Sequence, residues 1–204
     1  DITGVDLTGG TNLTVASETG TTSGNYSCTL NVDDAFLINS GNDTTSGTVT
    51  AAGFTTTGIL YADTRKFVKS TTVDGNYEGD VVYFGGTEGM TVGAIYHYVS
   101  GGEGTGAWTL ADADAEATCD GLLGVALGEE SDAAGMLLRG MVTIANDPGA
   151  LADTLFVSTT AGRATATAPA GAADIVRIIG YCLDSSNGQI WFNPDNSYIE
   201  IAAD

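Results

Sequence analysis

The sequence predicts an all-β protein with a thin extended β arm or shaft, followed by a compact antiparallel head of barrel-like or sandwich-like form. Short apolar runs, each long enough for one strand, recur at close intervals and end at Gly, Asn or Asp. Helix signals are weak, because the Ala-rich stretch at 110–119 scatters its aspartates and forms no apolar stripe. It is compatible only with a short helix or turn.

The arm is predicted over residues 1–62, where apolar residues arrive one or two at a time among Thr, Ser, Gly, Asn and Asp. Segments such as LTGGTNLTVAS, NYSCTLNV, AFLIN, GTVTAAG and FTTTGILYA would each make a short β segment. A stretch this sparse buries too little surface to fold alone. We therefore expect identical chains to supply its missing strand neighbours, with an extended arm ordered by contacts on a particle as the alternative.

A connector is predicted over residues 63–74. It contains Arg65, Lys66 and Lys69, half of the six cationic residues of the chain. In so acidic a protein this cluster is suited to docking on an acidic neighbour, although a solvated connector explains it equally simply.

The head is predicted over residues 75–204, with roughly eight to ten short strands in the predicted fold. Its clearest signal is GLLGVALGEESDAAGMLLRGMVTIA at 121–145, in which two apolar segments flank an acidic turn. Because charged groups are costly to bury, we expect Glu129–Asp132 at an exposed hairpin tip. The glycine-rich segments 85–89 and 100–106 are predicted to be hairpin tips as well.

The charge balance narrows the classes of partner. Six Lys and Arg against 26 Asp and Glu give a formal net charge of −20. Such a surface repels phosphate backbones and anionic lipid, so we expect neither nucleic acid nor a membrane as partner. No stretch of the sequence approaches the length of a membrane-spanning helix. The chain starts at Asp1 without a signal pattern, which suggests a processed product or fragment.

Cysteine and metal chemistry receive little support. Cys28, Cys119 and Cys182 are too few and too widely spaced for a disulfide framework or a metal site, and their pairing is left open. Structural Ca²⁺ is the one cofactor we consider. Its candidate oxygen donors match no dedicated calcium loop and occupy ordinary turn positions; they are Asp33, Asp34, Asn42, Asp43, Asp112 and Asp114.

No catalytic site is predicted. His97 is the only histidine, and strand alternation places it on one face with Ile95 and Val99, opposite Tyr96 and Tyr98. We interpret it as a packed strand residue. Paired carboxylates would suffice for glycoside hydrolysis, but the two tryptophans are far apart and the acids cluster in turns. We therefore keep glycoside hydrolysis only as a minor alternative.

Two arginines lie inside predicted strands, Arg139 in LLRGMV and Arg177 in IVRIIG. A charge there must face solvent or be paired. We expect each to bridge to a carboxylate, with a neighbouring subunit as the candidate donor of that carboxylate.

From about residue 75 to residue 204 the order of these segments resembles a C-terminal β domain found on tail fibres and related appendages of tailed bacterial viruses. The segment GVALGEESDAAGMLLRGMVTIA is also similar to small head-decoration proteins, and NVDDAFLINSGNDTTSGTVTAAGFTTTG to fibre shafts. The resemblance implies a non-enzymatic virion component, most often a homotrimer, displayed on the particle surface beside other virion proteins. It transfers no catalytic residue.

The first functional hypothesis is a fibre or spike that attaches the virus to the host surface. Tyr96, Tyr98 and Trp108 border glycine-rich tips and would stack on a host glycan if exposed, whereas packing in the core is the competing interpretation. The second hypothesis is a capsid decoration protein that stabilises the head. The third is a surface-layer or extracellular filament subunit.

Overall fold

The computed structural model describes residue 8 and residues 13–19, 27–32, 72–102 and 105–202. The chain divides into two compact units, Asp1–Tyr61 and Ala62–Asp204. This division lies beside the composition change at residue 62, whereas the roles of arm and connector stay predictions. The predicted segments AFLIN, GTVTAAG and FTTTGILYA, the cationic cluster of the connector and the calcium candidates at positions 33, 34, 42 and 43 all lie outside the described residues.

The described part of the first unit is a two-stranded antiparallel sheet. Strand β1 (Leu13–Thr19) pairs with β2 (Ser27–Val32), and Leu13 stands opposite Val32. The register shifts between Ala16 and Thr19, where Ser17 has a φ of 54°. An extra residue in one strand of a pair produces this kind of bulge. Strand β2 lies within the predicted segment NYSCTLNV, and β1 overlaps the end of LTGGTNLTVAS and continues two residues beyond it.

The described part of the second unit contains eleven strands and one short 3₁₀ turn at Glu116–Thr118. Its strands are, in chain order, β3 (Tyr77–Val82), β4 (Ile95–Gly102), β5 (Thr105–Leu110), β6 (Leu123–Ala126), β7 (Met136–Thr143), β8 (Thr154–Val157), β9 (Ala164–Thr165), β10 (Ile175–Val176), β11 (Ile178–Asp184), β12 (Gln189–Phe192) and β13 (Ile199–Glu200). Nine of them form one antiparallel sheet that curls into a half-barrel, and β10 pairs with β13 separately. The predicted all-β fold class is confirmed.

Strand β7 organises the large sheet. The sheet follows the order β5-β4-β6-β7-β12-β11-β8-β9, and β3 pairs with β7 outside this path. Strand β3 covers one edge of β7 from Met136 to Val142. The other edge is shared, because β6 pairs with the start of β7 and β12 with its end. One long strand therefore joins both wings of the sheet.

A row with three glycines crosses four neighbouring strands. Gly79 stands opposite Gly140, which stands opposite Phe192, which in turn stands opposite Gly180. Gly140 and Gly180 have φ values of 143° and 147°, which side-chain-bearing residues rarely adopt. Because a Cβ at Gly180 would lie 1.8 Å from the Trp191 carbonyl oxygen, the strands approach too closely for any side chain. Glycines at such positions permit sharp bending of a sheet.

The sheet carries hydrophobic clusters on both faces. On the inner face Ile95, Val125 and Leu137 are fully buried in the larger cluster. Residues adjacent to these on the same strands place their side chains on the opposite face, because successive side chains of a strand alternate between faces. Tyr96 and Met136 accordingly belong to a second cluster on the outer face. The prediction that Ile95 lies on the opposite face of β4 from Tyr96 and Tyr98 is confirmed.

The three predicted hairpin tips agree with the structure to different degrees. Residues 100–102 pair with residues 105–106 at the end of the β4–β5 hairpin, as expected. Segment 85–89 instead lies in the connection between β3 and β4, which do not pair with each other. In the acidic turn between the paired strands β6 and β7, Glu129, Glu130 and Asp132 are exposed as predicted. Ser131 is fully buried, and its backbone N–H and hydroxyl both bond to Thr87. Among the described residues there is no helix of the length and apolar character needed to cross a membrane.

Candidate functional site

An aromatic cluster lies on the outer face, beneath the β3–β4 connection. The rings of Phe84, Tyr98 and Trp108 lie within 5.0–5.7 Å of one another, measured between centroids. Trp108 is 2% exposed, and its indole Nε1–H donates to the Phe84 carbonyl at 2.8 Å. The indole therefore packs as an apolar body whose polar atom is satisfied.

Thr87 fastens this connection to the sheet. Its hydroxyl accepts from the Trp108 backbone N–H at 2.8 Å, and its own N–H donates to Ser131 Oγ at 3.0 Å. Its carbonyl accepts from the Ser131 N–H at 3.0 Å. Three hydrogen bonds thus hold one loop residue between β5 and the acidic turn, which fixes the position of the loop.

A shallow groove of about 430 Å³ runs beside the cluster. Four glycines, Thr105, Ala107 and Asp132 line it; the glycines are Gly85, Gly86, Gly101 and Gly106. A second hollow of about 410 Å³ shares Thr105 and Gly106 with it and adds Tyr98 to the lining. A Cβ at Gly106 would fall within 2 Å of the Tyr98 ring, at 1.9 Å from Cζ. The glycine is therefore required for the tyrosine to lie flat along the hairpin.

Asp132 supplies the charged group of the groove. Its Oδ1 accepts from the Gly86 N–H at 2.9 Å and from the Ser131 hydroxyl at 3.2 Å. The carboxylate is exposed while these bonds fix its position. The carboxylate and the glycine backbone of the groove suit a ligand rich in hydroxyl groups, because hydroxyls donate to carboxylates. The Tyr98 ring lies in the adjoining hollow, where a sugar ring could stack on it.

The glycan contacts predicted from sequence are only partly compatible with this geometry. Tyr96 is buried, and its hydroxyl accepts from the Thr91 N–H at 2.8 Å. Trp108 is buried as described, so neither ring offers a face to a sugar, and the expectation is wrong for both. Tyr98 is half-buried and borders the second hollow, so its predicted role stays a prediction. The glycine lining and Asp132 were missed, because a turn-rich sequence contains many such residues.

Arg177 differs from its predicted role. It is 2% exposed, and its guanidinium donates to three backbone carbonyls of its own chain, those of Cys119 at 2.6 Å, Gly121 at 2.7 Å and Asp195 at 2.9 Å. Burial lowers the pKa of Arg177. The expectation of a carboxylate on a neighbouring subunit is wrong, because Arg177 is buried and its donors reach carbonyls of its own chain.

Arg139 is exposed on β7 and stands in register opposite the exposed Asp80 of β3. Opposite charges facing each other across an antiparallel pair attract modestly. The exposed guanidinium is sterically accessible to a second subunit, and its inter-subunit role stays a prediction.

His97 lies on the inner face of β4 and is 1% exposed, as expected for a packed strand residue. Its Nε2 lies 2.6 Å from the hydroxyl of the exposed Thr109 on β5. Its Nδ1 has no hydrogen-bond partner among the described residues and lies 3.8 Å from Asp120 Oδ1. Burial lowers the pKa of His97, and the nearby Asp120 opposes this shift. The sequence did not reveal this group, because Thr109 and Asp120 come near His97 only through strand pairing.

The remaining candidates show no reactive arrangement. Burial raises the pKa of Cys119 to about 11, and burial also raises the pKa of Cys182, so both thiols stay protonated near neutral pH. Asp112 Oδ1 accepts from the Asp114 N–H, a turn interaction, and repulsion from Asp112 raises the pKa of Asp114. Among the residues that the structure describes, no three His, Cys, Asp or Glu side chains form a group suited to a metal ion.

Comparison of the chain with protein families, with curated protein sequences and with solved structures gave no match.

Proposed function

We propose that this chain is a non-enzymatic structural protein of a bacterial virus, a fibre or spike that attaches the particle to the host surface. The observation that carries the proposal is a pair of adjoining hollows that share Thr105 and Gly106, one lined by the fixed Asp132 carboxylate and the other by Tyr98. The all-β head and the fibre-like texture of the sequence support the same function. In this proposal the chain acts on the virion surface as a homotrimer, together with other virion proteins.

The chemistry of the groove favours a particular ligand class. With a net charge of −20, the protein repels anionic polysaccharides such as those carrying many carboxylates or phosphates. Asp132 adds a negative charge within the groove itself. A neutral or cationic surface glycan therefore fits best, held by hydrogen bonds to the carboxylate and backbone and by stacking on Tyr98.

The location is tested by immunogold labelling of native particles with an antibody against residues 75–204. Gold at fibre or tail tips is the expected result. Gold spread over the head would instead establish capsid decoration, the second hypothesis. Absence of label from any virus, combined with cation-dependent self-assembly, would establish a surface-layer or filament subunit and overturn the proposal.

The groove is tested separately with the purified protein. Asp132→Asn keeps an oxygen for the Gly86 N–H but removes the charge, and Asp147→Asn makes the same change at an exposed loop position outside the groove. On a printed array of neutral and amino-bearing glycans, Asp132→Asn should weaken binding and Asp147→Asn should not. Equal binding by both variants would exclude this groove, and sedimentation velocity would show whether the protein is a trimer.

A further inference from the structure

The group of Thr109, His97 and Asp120 has an arrangement that packing alone does not explain. The hydroxyl of Thr109, an exposed residue, lies 2.6 Å from one nitrogen of a buried imidazole, while the other nitrogen faces a carboxylate at 3.8 Å. The Asp120 side chain is 50% exposed, whereas the histidine side chain is 2% exposed. The hydroxyl, the imidazole and the carboxylate thus lie in the spatial order by which a base activates a weak nucleophile.

We propose that Thr109 is a modification site whose hydroxyl accepts an acyl group from activated carboxylic esters. A carboxylate beside Nδ1 favours the tautomer with the proton on Nδ1, which leaves Nε2 to accept from the Thr109 hydroxyl. Thr109 is an exposed residue on β5, the strand at one end of the sheet order, and we expect an ester to reach its hydroxyl from this side. This inference is independent of the attachment function.

The reaction balances with the residues present and one ester. Thr109 Oγ1 attacks the carbonyl carbon and forms the new ester bond, and its proton passes to His97 Nε2. The bond to the leaving oxygen breaks, and that oxygen departs with the electron pair. The product is O-acyl-threonine, formed once per chain. The imidazolium then returns its proton to solvent.

The charged groups that face His97 define how the reaction depends on pH. Asp120 attracts a proton to the imidazole and Arg177 repels it, while burial lowers the pKa of His97 overall. A neutral imidazole is the form that accepts a proton. The rate should therefore increase with pH through a range below the ordinary histidine pKa of about 6.5 and be level above it.

The test exposes the intact protein to p-nitrophenyl acetate and follows acetylation of individual residues by peptide mass mapping. Thr160, an exposed threonine in a turn, is the internal control for ordinary hydroxyl reactivity. Acetylation of Thr109 should exceed that of Thr160 by on the order of 100-fold, the smallest contribution expected of a positioned general base. Thr109→Val should remove the modified peptide.

Two variants separate activation from simple accessibility. His97→Gln keeps a polar side chain of similar size but removes the base, so Thr109 should react no faster than Thr160. Because a buried substitution can unfold the head, Asp120→Asn at the half-exposed position provides the second test and should slow the reaction by about tenfold. Equal acetylation of Thr109 and Thr160, or an unchanged rate in Asp120→Asn, would overturn the proposal.

Discussion

The Nη1 atom of Arg177 donates to the backbone carbonyl of Cys119 at 2.6 Å, joining residues 58 positions apart in the sequence. Two further bonds from the same guanidinium reach Gly121 and Asp195. A planar group with five donors suits this task, because it can satisfy several carbonyls in different directions at once. One buried cation therefore joins the segment before β6, the end of β10 and the loop that precedes β13.

Replacement of this arginine should destabilise the head strongly. Arg177→Met removes the charge and the donor of three carbonyls. The bond to the Cys119 carbonyl is buried, so its loss should cost about 1–3 kcal/mol, whereas the other two carbonyls belong to the exposed residues Gly121 and Asp195. We therefore expect a loss of at least about 1–3 kcal/mol in the free energy of unfolding, measured by urea denaturation. Arg163→Met, at an exposed position, should change it by less than about 0.5 kcal/mol. A loss below about 1 kcal/mol for Arg177→Met would contradict this role.

His97 should make the head less stable in mild acid. Burial lowers its pKa in the folded state, so between that value and about 6.5 the unfolded chain binds a proton that the folded chain does not. Its contribution to stability is therefore complete above pH 6.5 and decreases as the pH falls below it. Urea unfolding at intervals from pH 5 to pH 8 measures this slope. His97→Gln should have a flatter profile, and an unchanged slope in that variant would assign the effect to other groups.

Gly180, in the row that crosses four strands, should not tolerate a side chain. In Gly180→Ala the new Cβ would overlap the Trp191 carbonyl oxygen, in addition to the cost of the unusual φ. Gly86→Ala is a milder reference, because Gly86 has a φ of 55°, in the left-handed region that Ala enters at modest cost, and no atom lies within 4 Å of an added Cβ. We expect about 1–2 kcal/mol of destabilisation for Gly86→Ala, and clearly more for Gly180→Ala in the same urea titration. Equal losses would mean that the strands relax around the methyl group.

Thr87 should contribute to stability through its hydroxyl. Thr87→Val preserves the shape of the side chain but leaves the Trp108 backbone N–H without its acceptor, which should cost about 1–3 kcal/mol. Thermal unfolding followed by tryptophan fluorescence measures this directly, since the affected residue is itself the reporter. Thr160→Val is the exposed counterpart and should leave the midpoint nearly unchanged. Equal midpoints for the two variants would contradict this role of the Thr87 hydroxyl and would mean that water replaces it as the acceptor.

The strands could be predicted because their signal is local. The two apolar runs at 122–127 and 136–144 became β6 and β7, since runs of this length have few alternatives to burial. The path of segment 85–89 could not be predicted, because glycines mark a turn without indicating which strands it joins. The hydrogen bonds of Arg177 to backbone carbonyls could not be predicted for a related reason. A carboxylate and a set of backbone carbonyls can each accept the hydrogen bonds of a buried guanidinium, and only the folded chain distinguishes them.

The candidate groove owes its form to hydrogen bonds between the β3–β4 connection and its neighbours. The Gly86 N–H donates to Asp132 Oδ1, and Thr87 bonds to both Trp108 and Ser131. A ligand would meet a carboxylate that is already held in place and would lose little entropy in ordering it. Selectivity would then arise from steric fit, and a glycan with a branch at an incompatible position would not bind.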